Sequence, residues 1–271
     1  MIDTAYTQSQ YRPPEIDHAY GSQIHLLDDP LAWSLLTRAC SPEAGQPEFG
    51  RLISMLYSRL AGVVVSAELP RARVDVPTRM ASTHREAVYR GLAIDRRAKA
   101  VTVAIARAGT VPSQLLFDLL NEVLDPEQVR QDHLFMSRQT DDKGAVTGAV
   151  WHDAKIGRDI EGRYVMFPDP MGATGSSMIS AVDHYKRSLE GTPAKIIAMH
   201  LMITPEYVRN LQKAHPDVTV YALRLDRALS SDKALAAKPG EVWDEESGLT
   251  DTDYIVPGAG GVGELLNNAW V

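Results

Sequence analysis

An alternation that begins near residue 99 constrains the fold more than any other feature of this chain. Short apolar runs of strand length end in Gly, Pro or Asp, and most are followed by a stretch of helical periodicity. Runs at 101–106, 133–136, 164–167, 196–203 and 218–223 predict strands. Stretches at 113–124 and 176–189, and one running through 213, predict the helices between them. Strands alternating with helices of about a dozen residues build parallel βαβ units, because a parallel neighbour is reached only by a crossover. An α/β domain is therefore expected, with helices on both faces of the sheet.

Upstream, helices are expected at 30–38 and 47–67. In the second, Phe49, Leu52, Ile53, Leu56, Leu60 and Val63 recur at helical spacing and form one apolar stripe for the core. Between 140 and 163, Val146, Val150, Trp151 and Ile156 are separated by polar residues, which reads as a β-arm. Residues 230–252, rich in Ser, Asp, Glu, Lys and Ala, read as a solvated insertion or mobile loop. Residues 1–22 are polar, carry Pro13 and Pro14, and lack the basic and apolar regions of a signal peptide, so a flexible arm is expected ahead of a single domain over 23–271.

Composition narrows the function classes. With 28 Lys+Arg against 35 Asp+Glu the formal charge is −7, the wrong sign for a protein that coats nucleic acid. No apolar run reaches the roughly 18 residues that span a bilayer, so no membrane partner is expected. A single cysteine, Cys40, excludes an intrachain disulfide and suits a reducing compartment, with cytoplasm as the expected location. His133, His200 and His215 show no metal-ligand spacing and read as core or surface histidines.

The strongest local motif runs from the strand at 164–167 through Asp169, Pro170, Met171, Gly172, Ala173, Thr174 and Gly175 to Ser176 and Ser177. A carboxylate at a strand end, a small-residue turn with hydroxyls and a helix start make a phosphate cradle: the backbone can approach closely, and the leading helix N–H groups point at an anion. A plain strand-to-helix turn with an Asx cap is the alternative. No Walker A pattern is present. Gly258, Gly260 and Gly263 spell the dinucleotide fingerprint, but a helix and second strand must follow it and eight residues come after Gly263, so that reading is not expected.

An apolar strand, Asp169, then Thr174-Gly175 resembles the phosphoribosyl diphosphate (PRPP) loop of type I phosphoribosyltransferases. Asp169-Pro170-Met171 is similar to the uracil phosphoribosyltransferase branch in particular. Ala106-Arg107-Ala108-Gly109 resembles that family's pyrophosphate loop, and the strand from His133 to Arg138 resembles the one ending in its second pyrophosphate-facing arginine. Tyr254-Ile255-Val256-Pro257-Gly258 matches its uracil loop. With Val76-Pro77-Thr78 the resemblance covers roughly residues 25–268.

The resemblance implies a type I phosphoribosyltransferase-like parallel sheet, and transfer of phosphoribosyl from PRPP to uracil, giving UMP and pyrophosphate. It implies catalytic roles for Asp169 and Arg107. Arg107, Ala108, Gly109, Arg138, Asp169, Met171, Gly172, Ala173, Thr174, Gly175, Ser176 and Ser177 would bind PRPP. Met171, Tyr254, Ile255, Gly260, Gly261 and Val262 would frame the base. Mg2+ would be carried by PRPP with no direct protein ligand, and Glu264 would lie in its outer shell. A homodimer or higher oligomer is implied, with the 140–163 arm as an exchange element.

Several positions depart from the family pattern. Gly261 stands where an acid is usual, and Gly172 and Ala259 replace leucines, so an enlarged or reshaped acceptor pocket is expected. Ser176 replaces a frequent glycine, and the acidic run after Arg138 is shifted to Asp141-Asp142. These departures keep two further readings open: transfer to another heterocyclic base, or a PRPP- or nucleotide-binding regulator without turnover.

Overall fold

The computed structural model describes residues 4–140 and 146–270; the side chains of 137–140, 146–149 and 151 lie outside that description. In chain order the N-terminal part holds β1 (Ile24–Leu26), α1 (Pro30–Ala39), α2 (Glu48–Glu68), β2 (Arg71–Pro77) and β3 (Val88–Ile94). The alternating part follows with β4 (Lys99–Ala106), α3 (Thr110–Val123), β5 (Val129–Thr140), β6 (Val146–Lys155), β7 (Arg163–Pro168) and β8 (Met171–Gly172). It continues through α4 (Ser176–Ser188), β9 (Lys195–Ile203), α5 (Pro205–Ala214), β10 (Thr219–Leu225), α6 (Asp232–Ala236) and α7 (Val262–Asn267).

The main sheet has the order β1-β10-β9-β7-β4-β5-β6, with β8 added beside β9. Every pairing in it is parallel except β5 with β6. The expected α/β architecture is present. Strand β4 shows why the sequence reads as a continuous apolar run: all residues from Ala100 to Ile105 are buried, as befits a parallel strand covered on both faces. Val101, Val103 and Ile105 pack into one core with α4 and α5, whereas Ala100 joins the opposite core with α1, α2 and α3.

Helix α2 buries Phe49, Leu52, Ile53, Leu56 and Leu60 as its spacing predicts. Val63 is only half-buried, and Val64 and Val65 complete that face, because the helical period drifts past Val63. Local turn chemistry sets the helix starts. Asp29 caps α1 by accepting from Ala32 N at 3.0 Å, and Thr204 caps α5 by accepting from Tyr207 N at 3.0 Å, each followed by a proline in the first turn.

Four segments take forms that the sequence pattern did not convey. The antiparallel partner of β6 is β5, which begins at Val129, so the β-arm expected at 140–163 is the edge of the main sheet; residues 141–145 lie outside the described residues. Strands β2 and β3 form a separate antiparallel ribbon. The stretch expected as a flexible N-terminal arm is tied down along its length: Leu92 N donates to Tyr6 O at 2.8 Å, Ile16 N to Leu26 O at 2.8 Å and Asp28 N to Pro14 O at 3.0 Å, and Tyr20 is 3% exposed. Residues 230–252 include α6 and surround buried Glu246, which accepts from Arg227 Nη1 at 2.7 Å and from the Tyr20 hydroxyl at 2.5 Å. Among the described residues no helix is long and apolar enough to cross a membrane.

Candidate active site

Strand β7 delivers Asp169 to the carboxyl end of the sheet, where ligands collect in open α/β folds. The chain then passes through β8 and turns at Gly175, whose φ of 85° lies in the left-handed region that glycine tolerates. Helix α4 starts at Ser176. Thr174 Oγ1 accepts from Ser176 N at 3.3 Å and lies 3.1 Å from Ser176 Oγ, so two hydroxyls sit at the head of the helix. Thr204 Oγ1 donates to Ala173 O at 2.7 Å and Asn210 Nδ2 to Thr174 O at 2.9 Å. These bonds occupy carbonyls on one side of the turn, while Ser177 N and Met178 N head the helix where a backbone N–H can meet an anion.

Below this turn lies a fully buried polar pair. His200 Nδ1 is 2.6 Å from Asp169 O, and Nε2 is 2.6 Å from the Tyr207 hydroxyl. A carbonyl only accepts, so Nδ1 carries the proton and Nε2 accepts from Tyr207. Burial pushes His200 down to about 4, which keeps it neutral; its bond to Asp169 O opposes that shift only in part. Tyr207 is held well above the ordinary phenol range by burial and by the nearby Asp169.

Gly172 belongs to the same layer. A Cβ there would come within 2.9 Å of Ile203 Cγ2 and of Tyr207 Cδ2. The space that a side chain at 172 would need is thus filled by Tyr207 and Ile203, and the expectation that Gly172 enlarges the acceptor pocket is corrected.

The second loop, 107–109, leaves β4, the sheet neighbour of β7. Its approach to β7 requires Gly109, since a Cβ would stand 2.8 Å from Ile105 O and 3.2 Å from Pro168 O. The Ala106–Arg107 peptide is cis. Arg107 donates through Nη1 to Ala269 O at 2.8 Å and through Nη2 to Glu264 Oε1 at 3.1 Å. Glu264 lies on α7, whose Gly263 packs over Ala108. A Cβ built on Gly261 would collide with Glu264 Oε2, so the carboxylate of Glu264 occupies the room beside Gly261. An acid from the next turn thus stands beside the position where the family pattern has one.

The third loop carries Tyr254, Ile255, Gly258, Gly260, Gly261 and Val262. Ile255 is 6% and Val262 2% exposed, with side chains in the core, so what they can offer a ligand is backbone; Tyr254 is 58% exposed. Ala259 is half-buried and packs against the same core. Gly258 has φ 63°, and a Cβ would collide with Ile255 O. Its N–H donates to Asp226 Oδ2 at 2.8 Å, and its carbonyl accepts from Arg224 Nη2 at 3.2 Å.

Arg107, Ala108, Gly109, Asp169, the 171–177 turn and the 254–264 loop therefore meet at one end of the sheet. Met171 pairs with Met202 beside this cluster. Arg138 lies on β5, but its side chain is outside the described residues.

A family model described as uracil phosphoribosyltransferase matches residues 26–245. The chain belongs to the uracil phosphoribosyltransferase family. Curated relatives include the uracil phosphoribosyltransferase of Variovorax paradoxus (strain S110), 32% identical over 245 residues covering 90% of this chain and 98% of that one. That of Rhodococcus jostii (strain RHA1) is 31% identical over 243 residues, covering 90% and 97%. Among solved structures, the AQ2163 protein from Aquifex aeolicus superposes with a TM-score of 0.69 at 18% identity, covering 92% of this chain and 99% of that one, a likeness of fold.

Three features of this uracil phosphoribosyltransferase family member escaped the sequence reading: the roles of His200 and Tyr207 beneath Asp169, and the pair formed by Arg224 and Asp226. The one sequence cue for the last was charge, since Arg224 interrupts an otherwise apolar run at 218–225 and Asp226 follows it directly. Asp226 is 1% exposed, and an acid that deep must have partners.

Proposed function

We propose that the protein transfers the phosphoribosyl group of PRPP to uracil, forming UMP and releasing pyrophosphate. The observation that carries this reading is the convergence of the 107–109 loop, the 169–177 loop and the glycine loop at 258–261 at the carboxyl ends of β4, β7 and β10. The N–H groups heading α4, with Thr174, Ser176 and Ser177, suit the 5′-phosphate. The Asp169 carboxylate suits the ribose hydroxyls. Arg107 and the backbone of Ala108 and Gly109 suit the leaving pyrophosphate, whose negative charge grows as the bond to the anomeric carbon breaks. Uracil N1 forms the new bond to that carbon as the bond to pyrophosphate breaks, and its proton passes to solvent. The 254–262 loop would hold the base through N–H and C=O groups, next to Met171. Positioning and charge stabilisation supply the rate, and no covalent nucleophile is needed.

The donor set suits Mg2+ carried by the substrate. Asp169 and Glu264 offer carboxylate oxygens, while among the described residues no cluster of three or more His, Cys, Asp or Glu could hold an ion by itself. Bound to PRPP, the ion would neutralise pyrophosphate charge.

The filling of the space beside Gly172 by buried Ile203 and Tyr207 supports uracil over a larger acceptor. Purified protein with PRPP, Mg2+ and uracil is expected to release pyrophosphate and form UMP, followed by a coupled pyrophosphate assay and chromatography. Asp169→Asn is expected to slow turnover by about 100-fold, on the scale of other groups that stabilise or position a reacting centre. Equal rates for variant and wild type would show that the site is misplaced. Turnover with another base alone would overturn the acceptor assignment.

A further inference from the structure

We infer that Arg224 and Asp226 are positioning residues for the acceptor base, a clamp that sets the 254–262 loop before the base arrives; the inference rests on the acceptor reading above. Asp226 stands just beyond β10, and its own N–H donates to Ile203 O at 2.8 Å, so it is rooted in the ends of two neighbouring strands. Its carboxylate takes both ends of the Arg224 fork, through Nε and through Nη2 at 2.7 Å. The same two side chains then reach one residue of the loop. Asp226 Oδ2 accepts the Gly258 N–H and Arg224 Nη2 donates to the Gly258 carbonyl. Both backbone polar groups of Gly258 are thereby held by charged partners.

The start of the loop is held in a similar way. Glu206, in the first turn of α5, accepts from Gly248 N at 3.0 Å and from Ser247 Oγ at 2.8 Å. Between these anchors the chain folds on itself, with Val256 N donating to Gly248 O at 2.8 Å and Thr250 N to Tyr254 O at 2.9 Å. Tyr254 and Ile255 thus sit on a short hairpin whose two ends are fixed by carboxylates.

Packing alone would not select such a pair, because buried ion pairs are often replaced by apolar residues without loss of stability. What a carboxylate and a guanidinium achieve together, and an apolar pair cannot, is to orient an N–H and a C=O of the same residue. A base read through backbone groups needs that orientation in advance, since a loose loop must be ordered at the expense of affinity. The clamp touches the acceptor loop and leaves Arg107 and the 169–177 turn to other partners.

The test uses Arg224→Gln, Arg224→Lys and Asp226→Asn. In the glutamine and asparagine variants the KM for uracil is expected to rise about 10- to 100-fold, with the KM for PRPP within about 2-fold of wild type. Arg224→Lys keeps the charge but has no fork, so it is expected to recover the melting temperature and not the uracil KM. Hydrogen exchange in the absence of substrate is expected to quicken in peptides spanning 254–262 and to stay unchanged in β9. A parallel rise in both KM values, exchange spreading through β9, or unchanged exchange at 254–262 would each overturn the clamp. If wild type fails to turn over uracil, the acceptor reading falls, and the exchange measurement still decides whether the clamp exists.

Discussion

Gly172→Ala is the most informative single substitution in this protein. The added methyl would stand 2.9 Å from Ile203 Cγ2, 2.9 Å from Tyr207 Cδ2 and 3.0 Å from Tyr207 Cγ. Neither neighbour can swing away: Ile203 is 0% and Tyr207 1% exposed. Tyr207 is further held by its bond to His200, and His200 by its bond to Asp169 O. Overpacking of this kind costs about 1–3 kcal/mol. For a chain of this size each kcal/mol lowers the melting temperature by roughly 2–4 °C, so a fall of about 2–12 °C is expected. The displaced ring also pushes, through His200, on the backbone that carries Asp169, so the KM for PRPP should rise while the KM for uracil changes less. Differential scanning calorimetry and steady-state kinetics read both effects. A melting temperature within about 1 °C of wild type, together with an altered range of acceptor bases, would refute the reasoning and restore Gly172 to the pocket wall.

Two further predictions rest on single side chains. Between pH 6.5 and about 4 an unfolded His200 binds a proton that the folded one refuses, so this residue stabilises the fold above about pH 6.5 and loses that contribution progressively as the pH falls to 4, by about 3 kcal/mol. The drop in urea midpoint between pH 7.5 and 4.5 is expected to shrink in His200→Gln, and an unchanged drop would count against the buried neutral imidazole. Glu264→Gln removes the acid that lies beside Gly261 and pairs with Arg107. The KM for PRPP is expected to rise about 10-fold, as for other outer-shell groups; a fall would show instead that Glu264 competes with pyrophosphate for Arg107.

Much of the fold was legible because parallel strands covered on both faces are mainly apolar, and β4, β7, β9 and β10 are so apart from isolated residues such as Thr102, His200 and Arg224. The turn at 173–177 was legible because its features are local: Thr174, Gly175 and Ser176 are adjacent in the chain and in space. The ribbon of β2 and β3 was missed although Ala72, Val74 and Val76 alternate with Arg71, Arg73 and Asp75, a period of two that a half-exposed strand displays. Tyr20, buried against the 230–252 segment, was missed because its partner Glu246 is 226 residues away.

The sequence by itself determined the α/β class, the position of the loops at 107–109, 169–177 and 254–264, and the family likeness, since each depends on composition and spacing within a few residues. Only the tertiary structure decided what surrounds those loops. It filled the room beside Gly172 with Tyr207 and Ile203, put Glu264 beside Gly261, and joined Arg224 and Asp226 to Gly258 across 34 and 32 residues. Spacing along a chain reports period and turn. Which side chain occupies a space left by a glycine is settled by packing between segments distant in sequence, where no local pattern records it.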